Sequence, residues 1–166
     1  MLKNAEKSQL SLLWFNTDAN RLVIDSVEYT FNKNQMVFLT EFHKVENKKV
    51  NGVKLLRFNK PFYCILDHDS EVSCKGILYY GSSNVPVISP TESEIEVIET
   101  VWKMVKIEME SKDELQLEML QMMLKRILIL CTRIYKNQKN IHSVDLSKVD
   151  IIRAVSYTHL TLPTKA

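Results

Sequence analysis

The hydrophobic period of this chain changes at Pro90, and that change restricts the possible folds more than any other feature. Upstream, apolar and β-branched residues come in short segments at residues 9–16, 21–25, 27–31, 35–39, 44–49, 53–58 and 61–66. Asn, Asp, Ser and Gly clusters separate them, which is the pattern of strands joined by turns. Asn51-Gly52 is the sharpest turn signal, because this dipeptide supplies both positive-φ positions of a tight hairpin. Strands this short and closely spaced predict an antiparallel sandwich or barrel, and a closed barrel removes exposed edges.

Downstream of Pro90 the period becomes helical. Thr91 and Glu94 have the spacing of a capping box, and Ile95, Ile98, Trp102, Val105 and Met109 then alternate by three and four. Ser111 and Glu114 repeat the capping signature before a second run through Leu117, Leu120, Leu124, Ile127, Cys131 and Ile134. Two helices joined by so short a turn should pack as an antiparallel hairpin. The fold class expected is therefore α+β: an antiparallel β-barrel followed by a helical hairpin.

The second helix carries more apolar surface than one seam requires. Met119, Met122, Met123, Leu128, Ile129 and Leu130 lie outside its main stripe, and Glu118, Gln121 and Lys125 leave only a narrow polar band. A helix apolar over most of its circumference is buried on more than one side. One side would meet the chain's own core and the other a second copy. On this basis Leu117, Leu120, Leu124, Ile127, Cys131 and Ile134 are the expected dimerisation residues. Burial of the whole helix within its own domain is the alternative.

Charge and motifs exclude more than they include. Lys and Arg number 22 against 20 Asp and Glu, a net charge of +2, too even for a phosphate-binding surface. The longest apolar run, from Ile127 to Cys131, is far short of the roughly 20 residues of a membrane span. The first fifteen residues lack the organisation of a secretory signal, so a cytoplasmic protein is expected. Cys64, Cys74 and Cys131 form no C-x-x-C pair, and an odd count argues for reduced, mostly buried thiols.

Catalytic constellations are sparse. His43, His68 and His142 show neither H-x-H nor H-x-x-x-H spacing, so alternate strand positions cannot present two imidazoles to one metal. The run from Asp67 to Glu71 lacks the glycine and spaced acids of a calcium loop and reads as a solvated turn. Glu41-Phe42-His43 could set a histidine at a barrel mouth, but a loop histidine satisfied by backbone groups is the preferred reading. Gly52, Gly76 and Gly81 are too few and too scattered for a phosphate cradle. Arg133, Lys136 and Lys139 suit the negative end of the second helix's dipole. No catalytic, metal or cofactor residue is assigned, and the chain is not expected to be an enzyme.

Three stretches, residues 31–45 (FNKNQMVFLTEFHKV), 56–69 (LRFNKPFYCILDHD) and 115–126 (LQLEMLQMMLKR), together resemble the N-terminal regions of AraC-type transcription regulators from the Bacteroidetes. The resemblance implies a cupin-like sensing barrel over residues 1–90 and a dimerising helical hairpin over 91–139. A linker over 140–154 would lead to a DNA-binding domain with two helix-turn-helix units. It implies a homodimer, an effector of unspecified chemistry and DNA contact through that last domain alone. The final residues 154–166 (AVSYTHLTLPTKA) resemble the translation of a sequencing-library adapter, so residues 155–166 are set aside as non-native. The natural reading frame is then expected to continue past Arg153. A cyclic-nucleotide-type regulator has the same order of parts, but its phosphate cradle is not visible here. A free-standing cupin enzyme would need the missing metal spacing.

Overall fold

A computed structural model describes residues 9–64, 75–80 and 84–140. The end of segment 61–66, the Asp67 to Glu71 run with His68, and Cys74, Gly81, His142 and the tail at 155–166 lie outside the described residues. The chain divides into two units, Met1–Tyr135 and Lys136–Ala166. Of the second, residues 136–140 are described: the end of the last helix and a turn.

Seven described strands form two antiparallel sheets: β1 (Gln9–Phe15), β2 (Asn20–Ile24), β3 (Val27–Phe31), β4 (Met36–Leu39), β5 (Val45–Lys49), β6 (Val53–Asn59) and β7 (Val87–Ile88). One sheet has the order β6-β1-β4-β7, the other β3-β2-β5. The helices are α1 (Glu92–Glu110) and α2 (Gln116–Gln138), preceded by a short 3-10 turn at Lys75–Leu78. The described strands close no barrel; each sheet keeps two edges. Edge strand β5 is mostly exposed and carries Glu46, Lys48 and Lys49, charges that discourage pairing with another chain.

Strand β1 shows how the layers arise. Its alternate residues Leu13 and Phe15 join Leu22, Ile24, Phe31, Val37 and Leu39 in one apolar core between the sheets. Phe15 stacks on Phe31 with ring centroids 4.5 Å apart. Leu10, Leu12 and Trp14 point to the opposite face and are equally buried, because that face is covered by α1 and by the segment around Tyr79. Trp14 meets Trp102 of α1 edge-on, and Tyr79 sits edge-on to both Phe38 and Phe58. A strand covered on both faces needs a near-continuous apolar run, which LSLLWF supplies.

Local chemistry sets the connections. Asp25 and Ser26, with φ of 50° and 71°, make the tight turn between β2 and β3. Asp25 also fixes the start of β5, its carboxylate accepting from Lys44 N–H at 2.8 Å. The hairpin expected at Asn51-Gly52 does not form. Neither residue has positive φ; β5 pairs with β2 and β6 with β1, so the chain there crosses between sheets. Buried Asn20 holds the crossing, its Oδ1 accepting from Asn51 N–H at 2.9 Å. Gly52 sits beside Thr17, where an added Cβ would lie 3.4 Å from Thr17 Cγ2, at the edge of ordinary contact.

Two further expectations are corrected. Residues 61–64 are not a strand: Asn59 ends β6 by accepting from Phe62 N–H on both its backbone and side-chain oxygens. The second capping box, Ser111 with Glu114, does not form either. Ser111 is the extended C-cap of α1, and its hydroxyl donates to Asp113. Gln116 then closes the end of α1, its amide donating to the carbonyls of Glu108, Met109 and Ser111. The first box forms as expected: Thr91 Oγ1 accepts from Glu94 N–H, and Glu94 accepts from Thr91 N–H at 2.8 Å.

Candidate functional site

The core between the sheets changes character at one end, in register across neighbouring strands. Leu13 of β1 lies opposite Leu55 of β6 and Val37 of β4; two residues along, Ser11 lies opposite Arg57 and Leu39. Beyond that, Gln9 faces Asn59, and Glu41 follows the end of β4. Period-two alternation keeps the strand positions among these on the inner face. The result is a cavity of about 80 Å³ with an apolar floor of Leu13, Leu39 and Val45 and walls that include Ser11, Thr40, Glu41, His43 and Arg57.

The loop after β4 shapes the wall. Thr40 is buried, and its N–H donates to Nδ1 of His43 at 2.9 Å. A backbone donor at Nδ1 places the hydrogen of the neutral ring on Nε2, so the imidazole is a donor on its far edge. His43 is thus a loop histidine with a backbone partner, as the preferred reading expects. Glu41 Oε2 is buried and has no hydrogen-bond partner, which is costly for a carboxylate oxygen unless a donor is supplied. Near it, Tyr80 has its phenol pKa pushed up, first by burial and then by Glu41 and Cys64. Glu41 and Arg57 were not singled out as site residues from the sequence. The signal available was the polar residue closing the inward set Val53, Leu55, Arg57.

A second cavity, of about 160 Å³, lies between β6 and the helices. Leu56, Phe58 and Phe62 form one side together with Arg57, which lines this cavity as well as the first; Val105 and Met109 of α1 form another, and Leu120, Leu124 and Ile127 of α2 the third. Its lining is nearly all hydrocarbon. Gln121 of α2 donates to the Phe62 carbonyl at 2.7 Å and ties the helix to the chain leaving β6.

The expected dimerisation residues are placed mostly inside the protein's own fold. Leu124, Ile127, Cys131 and Ile134 are buried, Leu120 lines the cavity just described, and only Leu117, 55% exposed, is open. This stripe meets the sheet because it lies on the helix face turned towards β6. The apolar surface left outside includes a different set: Leu115 just before α2, Met119 and Met122 on it, with Met122 67% exposed, and Ile107 on α1, 72% exposed. Lys136 stands in the last turn of α2, where its charge suits the helix dipole.

Among the described residues, no group of three or more His, Cys, Asp or Glu side chains is placed to hold a metal ion. Among the same residues, no helix is long and apolar enough to cross a membrane. No family model matches the chain, and no curated protein matches it.

Proposed function

We propose that this chain is the ligand-sensing and dimerisation portion of an AraC-type transcription regulator. In this proposal the two sheets are a cupin-like sensor, and the protein is a cytoplasmic homodimer without catalytic activity. DNA is contacted only through a helix-turn-helix domain encoded beyond Arg153.

The observation that carries the proposal is the polar-walled cavity at the end of the inter-sheet core. It is built on the inner face of the sheet whose outer face holds the helices. A ligand that alters the rim of β1, β4 and β6 therefore acts on the strands against which α1 and α2 rest. Differential affinity for two arrangements of sheet and helices is what a sensor requires.

The helices' outward face supports self-association. Leu115, Met119, Met122, Arg126 and Ile129 follow the four-three spacing of a helical seam. Glu118 and Arg126 stand four residues on either side of Met122. An antiparallel contact about Met122 then sets Glu118 of one copy against Arg126 of the other and Leu115 against Ile129, which pairs opposite charges and apolar residues together.

The deciding experiment extends the gene's natural reading frame past Arg153 and measures operator binding and sedimentation of the extended protein. Two helix-turn-helix units and a dimer that binds a two-half-site operator are expected. A stop codon at that point, or a monomer at high concentration, would overturn the proposal.

A further inference from the structure

We infer that the cavity between β6 and the two helices binds one small uncharged apolar molecule of about six to eight carbon atoms, such as a single aromatic ring. The site is separate from the polar-walled cavity and does not depend on the sensor reading. Protein interiors pack as densely as organic crystals and leave few voids larger than a water molecule; a space of about 160 Å³ is an exception. Small side chains do not cause it, because the lining is Leu, Ile, Phe, Val and Met with one Arg. Fixed ties hold its walls instead. Gln121 of α2 donates to the Phe62 carbonyl at 2.7 Å, and α1 is anchored to the sheet by Trp102 against Trp14 and by Glu99 with Lys54.

The chemistry of the lining selects the occupant. A buried water requires about two to four polar partners, which these hydrocarbon walls do not supply. Arg57 is the single charged residue of the lining, and it is already engaged in an interaction of its own. A charged ligand would lose its hydration and find no unpaired partner there, whereas an apolar one leaves water and gains contacts on every side. Size sets the class: an apolar cavity of about 150 Å³ takes benzene. Access is provided as well. Among the lining residues Ile127 is fully buried and Met109 is 65% exposed, so the cavity runs from core to surface, and the flexible thioether of Met109 can yield to an entering ring.

The test is a methyl chemical-shift titration of the full chain with toluene, using benzoate and glycerol as charged and polar counterparts. Saturable shifts at the methyls of Val105, Leu120, Leu124 and Ile127 are expected with toluene, with at least tenfold weaker binding of benzoate and no shifts with glycerol. Leu120→Trp, which fills the space with an indole, should abolish the toluene shifts. Met122→Lys, on the outer helix face, should leave them unchanged. Should Leu120→Trp fail to fold, Met109→Trp closes the cavity from its exposed rim and should remove the shifts in its place. Absence of saturable shifts with toluene would overturn the assignment, as would shifts confined to exposed Leu115, Met119 and Met122. Benzoate binding as tightly as toluene, or unchanged affinity in the folded tryptophan variants, would do the same. Toluene binding by a chain with no helix-turn-helix encoded past Arg153 would keep the site and discard the regulator. A working regulator that ignores toluene would discard the site alone.

Discussion

The indole of Trp14, on the central strand, meets that of Trp102 on the first helix edge-on, with ring centroids 5.6 Å apart. Lys54, opposite Trp14 in the strand register, lays its ammonium 3.9 Å from the Trp14 ring centroid and 3.2 Å from Glu99 of the helix. Sheet and helix are joined here by ring packing, a cation over a ring, and an ion pair. Ring packing stabilises the junction most, because it removes the most apolar surface from water. Trp102→Ala should destabilise the protein by about 3–5 kcal/mol through lost burial. Lys54→Met, which keeps the aliphatic stem, should cost less than about 1 kcal/mol. Urea unfolding followed by tryptophan fluorescence measures both; a larger loss for Lys54→Met would reverse this ranking.

The helix connection offers a sharp contrast between neighbours. Gln116 donates to carbonyls at the end of α1, while exposed Glu114 takes no part in the expected capping box. Gln116→Ala should therefore cost about 1–2 kcal/mol, and Glu114→Ala under about 0.5 kcal/mol. Equal effects in chemical denaturation would show that Gln116 is not the cap.

Turn chemistry can be tested by exchanging residue types. Ser26 holds φ at 71°, a conformation that costs an L-residue about 1 kcal/mol and glycine almost nothing. Ser26→Gly should raise stability by roughly 0.5 kcal/mol. Gly52→Ala, with its new Cβ 3.4 Å from Thr17 Cγ2, should be neutral to slightly destabilising. Thermal melts of the pair should move in opposite directions or leave only Ser26→Gly shifted.

Position decides what a lysine does on α2. Leu124 is 4% exposed, so Leu124→Lys places an ammonium in the chain's own core and should destabilise the fold by several kcal/mol. Met122→Lys, on the outer face, should leave the fold intact and weaken self-association alone. Circular dichroism reports the first effect and sedimentation at several concentrations the second. A folded, monomeric Leu124→Lys would instead assign the inner stripe to the contact between copies.

Alkaline pH should unfold the protein through Cys131. Burial pushes its thiol from the ordinary 9.0 up to about 12, and the buried Tyr79 phenol is also raised. In the unfolded chain the thiol ionises near pH 9.0 while the folded protein keeps its proton, so stability is full below that pH and falls as pH rises towards 12. Cys131→Ala should flatten that decline at some cost in packing. Denaturant midpoints between neutral and strongly alkaline pH give the slope, and an unchanged slope in Cys131→Ala would remove this residue as its source.

Much of the fold was legible because local patterns carried it. The period change at Pro90 separates strands from helices, and the Thr91 and Glu94 box starts α1 where its spacing predicts, since both partners lie within one turn of chain. Six strand segments fall within about a residue of their expected bounds. Other features depended on residues distant in sequence. Asn51-Gly52 has a hairpin's composition, but β5 gains its pairing from β2 and β6 from β1, so the dipeptide bridges two sheets. The Leu124 to Ile134 stripe has the spacing of an interface, yet spacing cannot say whether a helix face meets a sheet of its own chain or another molecule. Glu41 and Arg57, 16 positions apart, line one cavity only because β1 lies between their strands in register. Short-range periodicity and capping, both set by the sequence, determined which elements form. The pairing of strands and the docking of helices decided which faces are buried, because those depend on contacts that no local pattern specifies.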